Sequence, residues 1–187
     1  MIQAQSAPVA APIRYDLRAM TPALLEPVRR WLALAHVTRW WPVECALRAI
    51  NRHLGEPAIA CLILAMNGMN GMNGRDMGYS QVYDPHRADG DAACHPYREE
   101  PRGARGIDLF IGEASHIGQG HGPRFIGRVL DHLFDAGAPC VLSDPSPLNV
   151  RSVAALRSAG FRSIGERDTG GHVLLMRCDS PRQRISP

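Results

Sequence analysis

Apolar and polar residues alternate in several short runs of this chain, a pattern typical of strands with one buried face. Such runs occupy residues 13–20, 77–83 and 105–111, while the continuous apolar run 59–66 has the length of a buried strand. Shorter runs at 139–144, 161–166 and 172–178 complete the set. The pattern therefore predicts about seven strands.

Between these strands, apolar residues recur at three- and four-residue spacing, which predicts amphipathic helices. One helix begins near Pro22, and a second runs from Pro42 to Leu54. A third follows Pro123 and ends at Gly137, and a fourth ends at Gly160. The predicted order is strand, two helices, three strands, helix, strand, helix, two strands. This order indicates a mixed α/β domain with one sheet and helices on both faces.

A glycine-spaced turn follows the strand at 105–111. Gly118, Gly120 and Gly122 occupy every second position just before Pro123. Glycine lacks the Cβ that blocks a close approach and tolerates positive φ, so successive N–H groups can point into one concavity. Proline in a first helical turn sets the helix start, where unpaired N–H groups and the dipole favour an anion. We therefore expect a ligand that carries phosphate.

Two further segments predict loops. The sequence MNGMNGMNG at 66–74 repeats Asn-Gly, the strongest short hairpin signal, and predicts a hairpin tip lengthened by duplication. The alternative is a methionine-rich contact site. Residues 84–105 are polar and rich in Pro and Gly, and a loop of this length in a compact domain is usually functional or mobile.

Length and composition suit one globular domain. The 187 residues are 45% hydrophobic, and we expect a domain at 13–179 with tails at 1–12 and 180–187. No apolar run approaches the roughly 20 residues of a membrane helix. The net charge of +3 comes from arginines spread along the chain, which does not favour nucleic acid as a partner. Five cysteines without a CxxC pair indicate a reducing cytoplasm and predict no metal site.

Several segments together carry a family resemblance. They are YDLRAM, HVTRWW, GYSQVY, RGID, the glycine turn, SDPSPLNVR and SAGF, and they span nearly the whole chain. With these residues the chain resembles the GNAT-fold N-acetyltransferases, and within them it is similar to the aminoglycoside 6'-N-acetyltransferases. The resemblance implies a GNAT fold, with a mixed, mostly antiparallel sheet splayed between the strand of Asp108 and the strand that ends at Asp144. It also implies acetyl-CoA as cosubstrate in that gap.

The resemblance assigns the donor site to the gap and the glycine turn. It implies that backbone N–H groups of the turn bind the pyrophosphate, and that those near Phe110 polarise the thioester carbonyl. Preorganised donors of this kind stabilise a transition state by about 2.7–4 kcal/mol. Ile117 stands where the superfamily usually has Arg or Gln, and His121 is either a phosphate contact or an exposed side chain. The implied donor-binding residues are Leu109, Phe110, Ile111, Ile117, Gly118, Gln119, Gly120, His121, Gly122, Pro123 and Asn149.

Two aspartates are the candidates for acceptor chemistry. An amine attacks a thioester only as its free base, so the site must remove a proton from an ammonium and later return one to the sulfur. Asp108 matches the family aspartate that binds or deprotonates the amine; the alternative is a strand-edge residue bonded to nearby backbone. Asp144 either grips a second ammonium or caps the following helix. The resemblance adds Trp40, Gln81, Tyr83 and Tyr97 near the acceptor, and only one of Trp40 and Trp41 is expected in the core.

Some positions depart from the family. Leu156 stands where many members have a tyrosine that protonates the leaving thiolate, and Tyr97 stands where the aminoglycoside branch has tryptophan. Gly170 replaces an acidic residue, and the loop around Tyr97 contains Arg98 and Arg102. These changes reduce the attraction of the site for a polycation.

Three functions follow from these residues. The first is transfer of acetyl from acetyl-CoA to the 6'-amine of an aminoglycoside, by a cytoplasmic antibiotic-resistance enzyme that is a monomer or homodimer. The second is acylation of N-hydroxylysine or N-hydroxyornithine in siderophore biosynthesis. The third is a non-catalytic acyl-CoA binding protein.

Overall fold

The computed structural model describes residues 13–67, 74–87, 97, 99–168 and 170–181. Its strands and longer helices follow the predicted order. The strands are β1 (Arg14–Ala19), β2 (Ile59–Asn67), β3 (Arg75–Tyr83), β4 (Arg105–Ile111), β5 (Cys140–Ser143), β6 (Arg162–Asp168) and β7 (His172–Asp179). The helices are α1 (Leu25–Leu32), α2 (Ala35–Thr38), α3 (Val43–His53), α4 (His121–Asp135) and α5 (Val150–Ser158).

All seven strands form one sheet in the order β1-β2-β3-β4-β5-β7-β6. Neighbouring strands are antiparallel except β4 and β5, which run parallel. That parallel pairing is short, because only Arg105 and Gly106 of β4 have partners on β5. Beyond Gly106 the two strands diverge and leave a gap in the middle of the sheet. The predicted mixed, splayed sheet is therefore confirmed.

Helices cover both faces of the sheet, which agrees with the burial of consecutive residues in the central strands β3 and β5. On one face α4 and α5 bury an apolar cluster that contains Phe125 and Leu156. On the other face α1, α2 and α3 bury a second cluster that contains Leu32 and Ile50. The gap between β4 and β5 is thus lined by helices from above and below.

The structure differs from the predicted elements in a few places. The short helix α2 was not predicted, because four residues are too few for a helical period to show. Strand β2 extends into the MNG repeat, to Asn67, and β3 begins at Arg75, directly after the repeat. Residues 68–73 of the repeat and residues 88–96 and 98 of the 84–105 loop lie outside the described residues, Cys94 among them. Across the described ranges, every helix is too short or too polar to cross a bilayer.

Candidate active site

Two cavities adjoin at the gap between β4 and β5. The smaller has a volume of about 410 Å³ and lies toward β3 and the end of β5. The larger, about 830 Å³, is a groove along the glycine turn and the start of α5. Their linings share Trp40, Trp41, Leu109, Asn149 and Ser152. A molecule in the groove therefore meets a molecule in the smaller cavity at this junction.

Asp108 and Asp144 both line the smaller cavity, one from each of the diverging strands. Asp108 lies on β4 beyond its last pair with β5, and Asp144 directly follows β5. Both side chains are half-buried. Among the described residues, the lining contains these two carboxylates and no Lys or Arg. The cavity is therefore suited to a cationic ligand.

Asp108 is held by β3. One carboxylate oxygen accepts a hydrogen bond from Gln81 Nε2 at 2.8 Å, and the Asp108 carbonyl accepts one from Ser80 Oγ at 3.1 Å. The register of β3 and β4 places Gln81 directly opposite Asp108, so the contact follows from the sheet. A side-chain amide thus supports the carboxylate, and the carboxylate still faces the cavity.

Asp144 does not cap the helix that follows it. The N-cap residue of α5 is Asn149, whose Oδ1 accepts the N–H of Ser152 at 3.2 Å. The capping alternative for Asp144 was therefore wrong. Asn149 combines this cap with a place in the lining of both cavities.

A buried polar network lies behind Asp108. His53 Nδ1 is 3.3 Å from Gln81 Oε1, and the Tyr79 hydroxyl is 3.4 Å from the same oxygen and 3.2 Å from Cys61 Sγ. Burial raises the pKa of Tyr79 and the pKa of Cys61, so both remain neutral. His53 also lines the smaller cavity and was missed in the sequence, although it is a lone polar residue on the apolar face of α3.

Trp40 and Trp41 line both cavities. They follow α2 in a turn in which both N–H groups bond to the Val37 carbonyl. Only Trp41 packs against the apolar cluster of α1–α3, as expected, although both side chains border the cavities. The Trp41 ring packs edge-on against Phe110 and Tyr79, at centroid distances of 5.2 and 6.0 Å. Arg39 stacks over the Trp40 ring. The two indoles form a rigid wall where the cavities meet.

Tyr83 reaches the cavity because of a glycine on the neighbouring strand. An added Cβ on Gly106 would lie 2.1 Å from the Tyr83 ring. The ring crosses β4 at that point, is 7% exposed and contributes to the cavity lining. Gly106 is therefore required for the shape of this wall.

Tyr97 lies elsewhere. It is fully buried in a third apolar cluster with Ala104, Cys140, Leu142 and Leu175, and it does not line either cavity. The prediction that Tyr97 lies at the acceptor does not fit this placement. The aromatic ring is used for core packing on the far side of β5.

The larger groove contains most of the predicted donor-binding residues. Its lining includes Leu109, Phe110, Ile111, Ile117, Gly118, Gly120, Gly122, Pro123 and Asn149. Gly118 and Gly120 have φ of +79° and +78°, which other residues rarely adopt, whereas Gly122 lies within α4. Among the described residues, no backbone carbonyl accepts from the N–H groups of Gly118, Gln119 or Gly120. These groups and the first turn of α4 form a cradle for an anion.

Gln119 and His121 do not line the groove. Gln119 is exposed and bonds back to the Ser115 carbonyl. His121 is buried beneath the turn, where its Nδ1 is 2.8 Å from the Tyr15 hydroxyl, so neither the phosphate contact nor the exposed alternative fits. Burial lowers the pKa of His121, and His116 and Arg124 nearby lower it further. The ring ties the turn to β1 as a neutral group.

The splayed edge of β4 has a support that the sequence did not reveal. His36 of α2 donates from Nε2 to the Ile111 carbonyl at 3.0 Å and lines the groove. Because β4 has no β5 partner beyond Gly106, this contact fixes the end of the open strand. The described residues contain no cluster of His, Cys, Asp and Glu placed to bind a metal. Leu156 lines the smaller cavity and is 1% exposed, and its hydrocarbon side chain has no proton to donate.

The splayed sheet, the glycine cradle and the adjoining cavities are the features of an acyl-CoA-dependent transferase. The sequence matches the acetyltransferase (GNAT) domain family over residues 23–169. The chain therefore belongs to the GNAT acetyltransferase family. The prediction of an acetyl-CoA-dependent N-acetyltransferase is confirmed.

Individual relatives narrow the comparison. The chain is 31% identical over 158 residues to aminoglycoside N(6')-acetyltransferase type 1 of Klebsiella pneumoniae, a match that covers 80% of this chain and 74% of the relative. It is 25% identical over 157 residues to the lysine N-acyltransferase MbtK of Mycobacterium tuberculosis, covering 83% and 72%. The structure of AAC(6')-Ib in complex with paromomycin and acetyl-CoA superposes with a TM-score of 0.75 at 26% identity, over 92% of this chain and 97% of that one.

Proposed function

We propose that this enzyme transfers the acetyl group of acetyl-CoA to the 6'-amine of an aminoglycoside. The observation that carries the proposal is the pair Asp108 and Asp144 in one cavity whose described lining holds no cationic Lys or Arg. Aminoglycosides carry several ammonium groups, and two carboxylates on diverging strands suit a polycation. The similarity of the chain to the Klebsiella pneumoniae aminoglycoside N(6')-acetyltransferase supports the same acceptor.

In the proposed reaction, Asp108 binds the ammonium and accepts its proton directly or through water. The neutral amine then attacks the thioester carbon at the junction of the two cavities, the carbon–sulfur bond breaks, and the thiolate takes up a proton. The balance is an ammonium and acetyl-CoA giving an amide, coenzyme A and one proton.

The donor arm has its own supports. Leu109, Phe110 and Ile111 at the open edge of β4 line the groove, and in the proposed reaction their backbone N–H groups polarise the thioester carbonyl. The cradle of the glycine turn suits the pyrophosphate. Because Leu156 has no proton to donate, the thiolate receives its proton from water or another group. Alignment of the two substrates supplies much of the rate enhancement, and in favourable cases it lowers the barrier by about 7–11 kcal/mol.

The test is coenzyme A thiol release on adding kanamycin or tobramycin. A matched aminoglycoside with a hydroxyl in place of the 6'-amine should release no thiol through that position, which checks the regiochemistry. If none of a panel of aminoglycosides caused thiol release, the proposed acceptor would be contradicted.

A second acceptor is favoured by the similarity to MbtK, a lysine N-acyltransferase. In this alternative, the cavity takes an N-hydroxylated lysine or ornithine, which carries fewer positive charges. Comparing kcat/KM for N-hydroxylysine and kanamycin with the same acyl donor separates the two functions.

We also infer that the enzyme acts in the cytoplasm as one domain at 13–179, as a monomer or homodimer, and confers antibiotic resistance. The described cysteines Cys45, Cys61, Cys140 and Cys178 form no disulfide, which suits a reducing compartment. If the enzyme confers resistance, its expression in a sensitive bacterium should raise the inhibitory concentration of kanamycin.

A further inference from the structure

Three side chains connect the surface of α3 to Asp108. Arg52 lies on the exposed side of the helix, and one of its guanidinium nitrogens is 3.5 Å from His53 Nε2. His53 is 7% exposed, and its Nδ1 is 3.3 Å from Gln81 Oε1. Gln81 Nε2 is 2.8 Å from Asp108 Oδ2. The chain therefore runs from a cation at the surface to a carboxylate in the cavity.

The direction of every bond in this chain is determined by its two ends. A carboxylate only accepts, so the Gln81 nitrogen must face Asp108 and the Gln81 oxygen must face His53. Because that oxygen also only accepts, His53 must carry its proton on Nδ1. The guanidinium of Arg52 only donates, which leaves His53 Nε2 as its acceptor. All three bonds thus point the same way, from Arg52 to Asp108.

This arrangement satisfies two opposing requirements on the surroundings of Asp108. A half-buried carboxylate needs donors to remain ionised, but a Lys or Arg beside it would repel and displace a cationic substrate. Gln81 gives Asp108 a neutral donor, and His53, together with the Tyr79 hydroxyl at the same oxygen, keeps the carboxamide from rotating. The positive charge of Arg52 remains two side chains away, and the described lining of the cavity holds no Lys or Arg.

We propose that His53 is a positioning residue for amine transfer. As its Nδ1–H tautomer it holds the Gln81 carboxamide in the orientation that supports Asp108, and it acts through Gln81 without touching the reacting atoms. The inference rests on the proposed function for its kinetic consequence only, because the tautomer is a property of the protein alone.

The kinetic test compares His53→Leu with His53→Asn, using kanamycin and acetyl-CoA. Leucine removes the donor at similar bulk, whereas the Asn side-chain amide places a donor near the position of Nδ1. We expect His53→Leu to lower kcat/KM for kanamycin about tenfold, with the KM for acetyl-CoA changed by less than about twofold. His53→Asn should stay within about threefold of wild type.

Two controls separate positioning from packing. Ile50→Val also trims the buried face of α3 but removes no hydrogen-bonding group, and it should leave kcat/KM nearly at the wild-type value despite a lower Tm. In a Gln81→Leu background, His53→Leu should reduce kcat/KM by less than about a further twofold, because its route to Asp108 is already lost. Fully multiplicative losses would overturn the proposal, as would equal losses in the Leu and Asn variants.

A spectroscopic test is made on the wild-type protein and needs no acceptor. In ¹⁵N NMR of the wild-type imidazoles, with His53 assigned by its loss in His53→Asn, we expect a protonated Nδ1 and an unprotonated Nε2. An Nε2–H tautomer would overturn the proposal. Wild-type enzyme that shows the Nδ1–H tautomer but no transfer to any aminoglycoside would refute the proposed acceptor and leave the hydrogen-bond chain intact.

Discussion

At the scale of single residues, Asp108 combines a structural contact with an open face. One oxygen bonds to Gln81 while the side chain still lines the cavity, so a substitution can remove the charge and keep the shape. A substitution of this kind therefore tests the role of the Asp108 charge without disturbing the packing of β4.

Asp108→Asn should lower kcat/KM for kanamycin by about 10²-fold or more, because the site loses both its ammonium anchor and its proton acceptor. Binding of coenzyme A, measured by calorimetry, should not change. Asp131→Asn on the exposed side of α4 is the charge-matched control and should keep wild-type activity. An active Asp108→Asn enzyme would exclude this role for the carboxylate.

His121 gives a pH dependence of stability. Its pKa is lowered from the usual value of 6.5, so the unfolded chain binds its proton more readily than the folded protein. The free energy of unfolding should therefore fall as pH decreases below about 6.5, while the contribution is fully present above that value. Denaturant unfolding of wild type and His121→Gln between pH 7.5 and 5 measures this, and the difference between them should shrink at low pH. A constant difference would mean that His121 does not titrate as expected.

At the scale of elements, the glycine turn and α4 form one unit. Gly118 and Gly120 adopt positive φ just before the helix begins, while His121 at the helix start bonds to Tyr15. The turn is therefore held from below and presents its N–H groups to the groove.

Gly120→Ala should destabilise the protein by about 1–2 kcal/mol and raise the KM for acetyl-CoA, because the left-handed conformation is strained and the cradle is displaced. The matched control is Gly127→Ala within α4, where an added Cβ meets no atom within 4 Å. That change should stabilise the helix by about 0.4–1 kcal/mol and leave the KM unchanged. Thermal unfolding and donor titration on both variants test the contrast.

At the scale of the whole molecule, the groove is built from elements on both faces of the sheet. Its lining comes from α2 and β4 on one side and from α4 and α5 on the other. A ligand in the groove therefore contacts elements on both faces of the sheet, beside the gap where β4 pairs with β5 only at Arg105 and Gly106.

Coenzyme A should therefore stabilise the whole protein and not one element. At a hundredfold excess over its Kd, the expected gain is about 2.7 kcal/mol, a Tm increase of about 5–10 °C for a domain of this size. Hydrogen exchange should show protection in α4 and α5 together with β4. Protection confined to the glycine turn would contradict this coupling.

The fold was largely predictable because its signals are local. Alternation in 105–111 and the helical spacing after Pro123 each reflect one buried face, and the element order followed from them. Family membership came from the resemblance carried by motifs such as GYSQVY and SDPSPLNVR. The site was predictable only in part. Asp108, Asp144 and Gln81 do line one cavity, but Tyr97 is in the core and His121 lies beneath the turn. Apolar periodicity does not distinguish an aromatic residue on a cavity wall from one in a core.

By itself, the sequence determined which segments form strands and helices, where the backbone can take positive φ, and to which family the chain belongs. Only the tertiary structure decided that His36 holds the open end of β4 and that His53 supports Gln81 and Asp108. These partners are 75, 28 and 27 residues apart in the chain. The physical reason is that sequence periodicity reports which face of an element is buried, whereas a hydrogen bond between side chains depends on strand order, register and the divergence of β4 from β5.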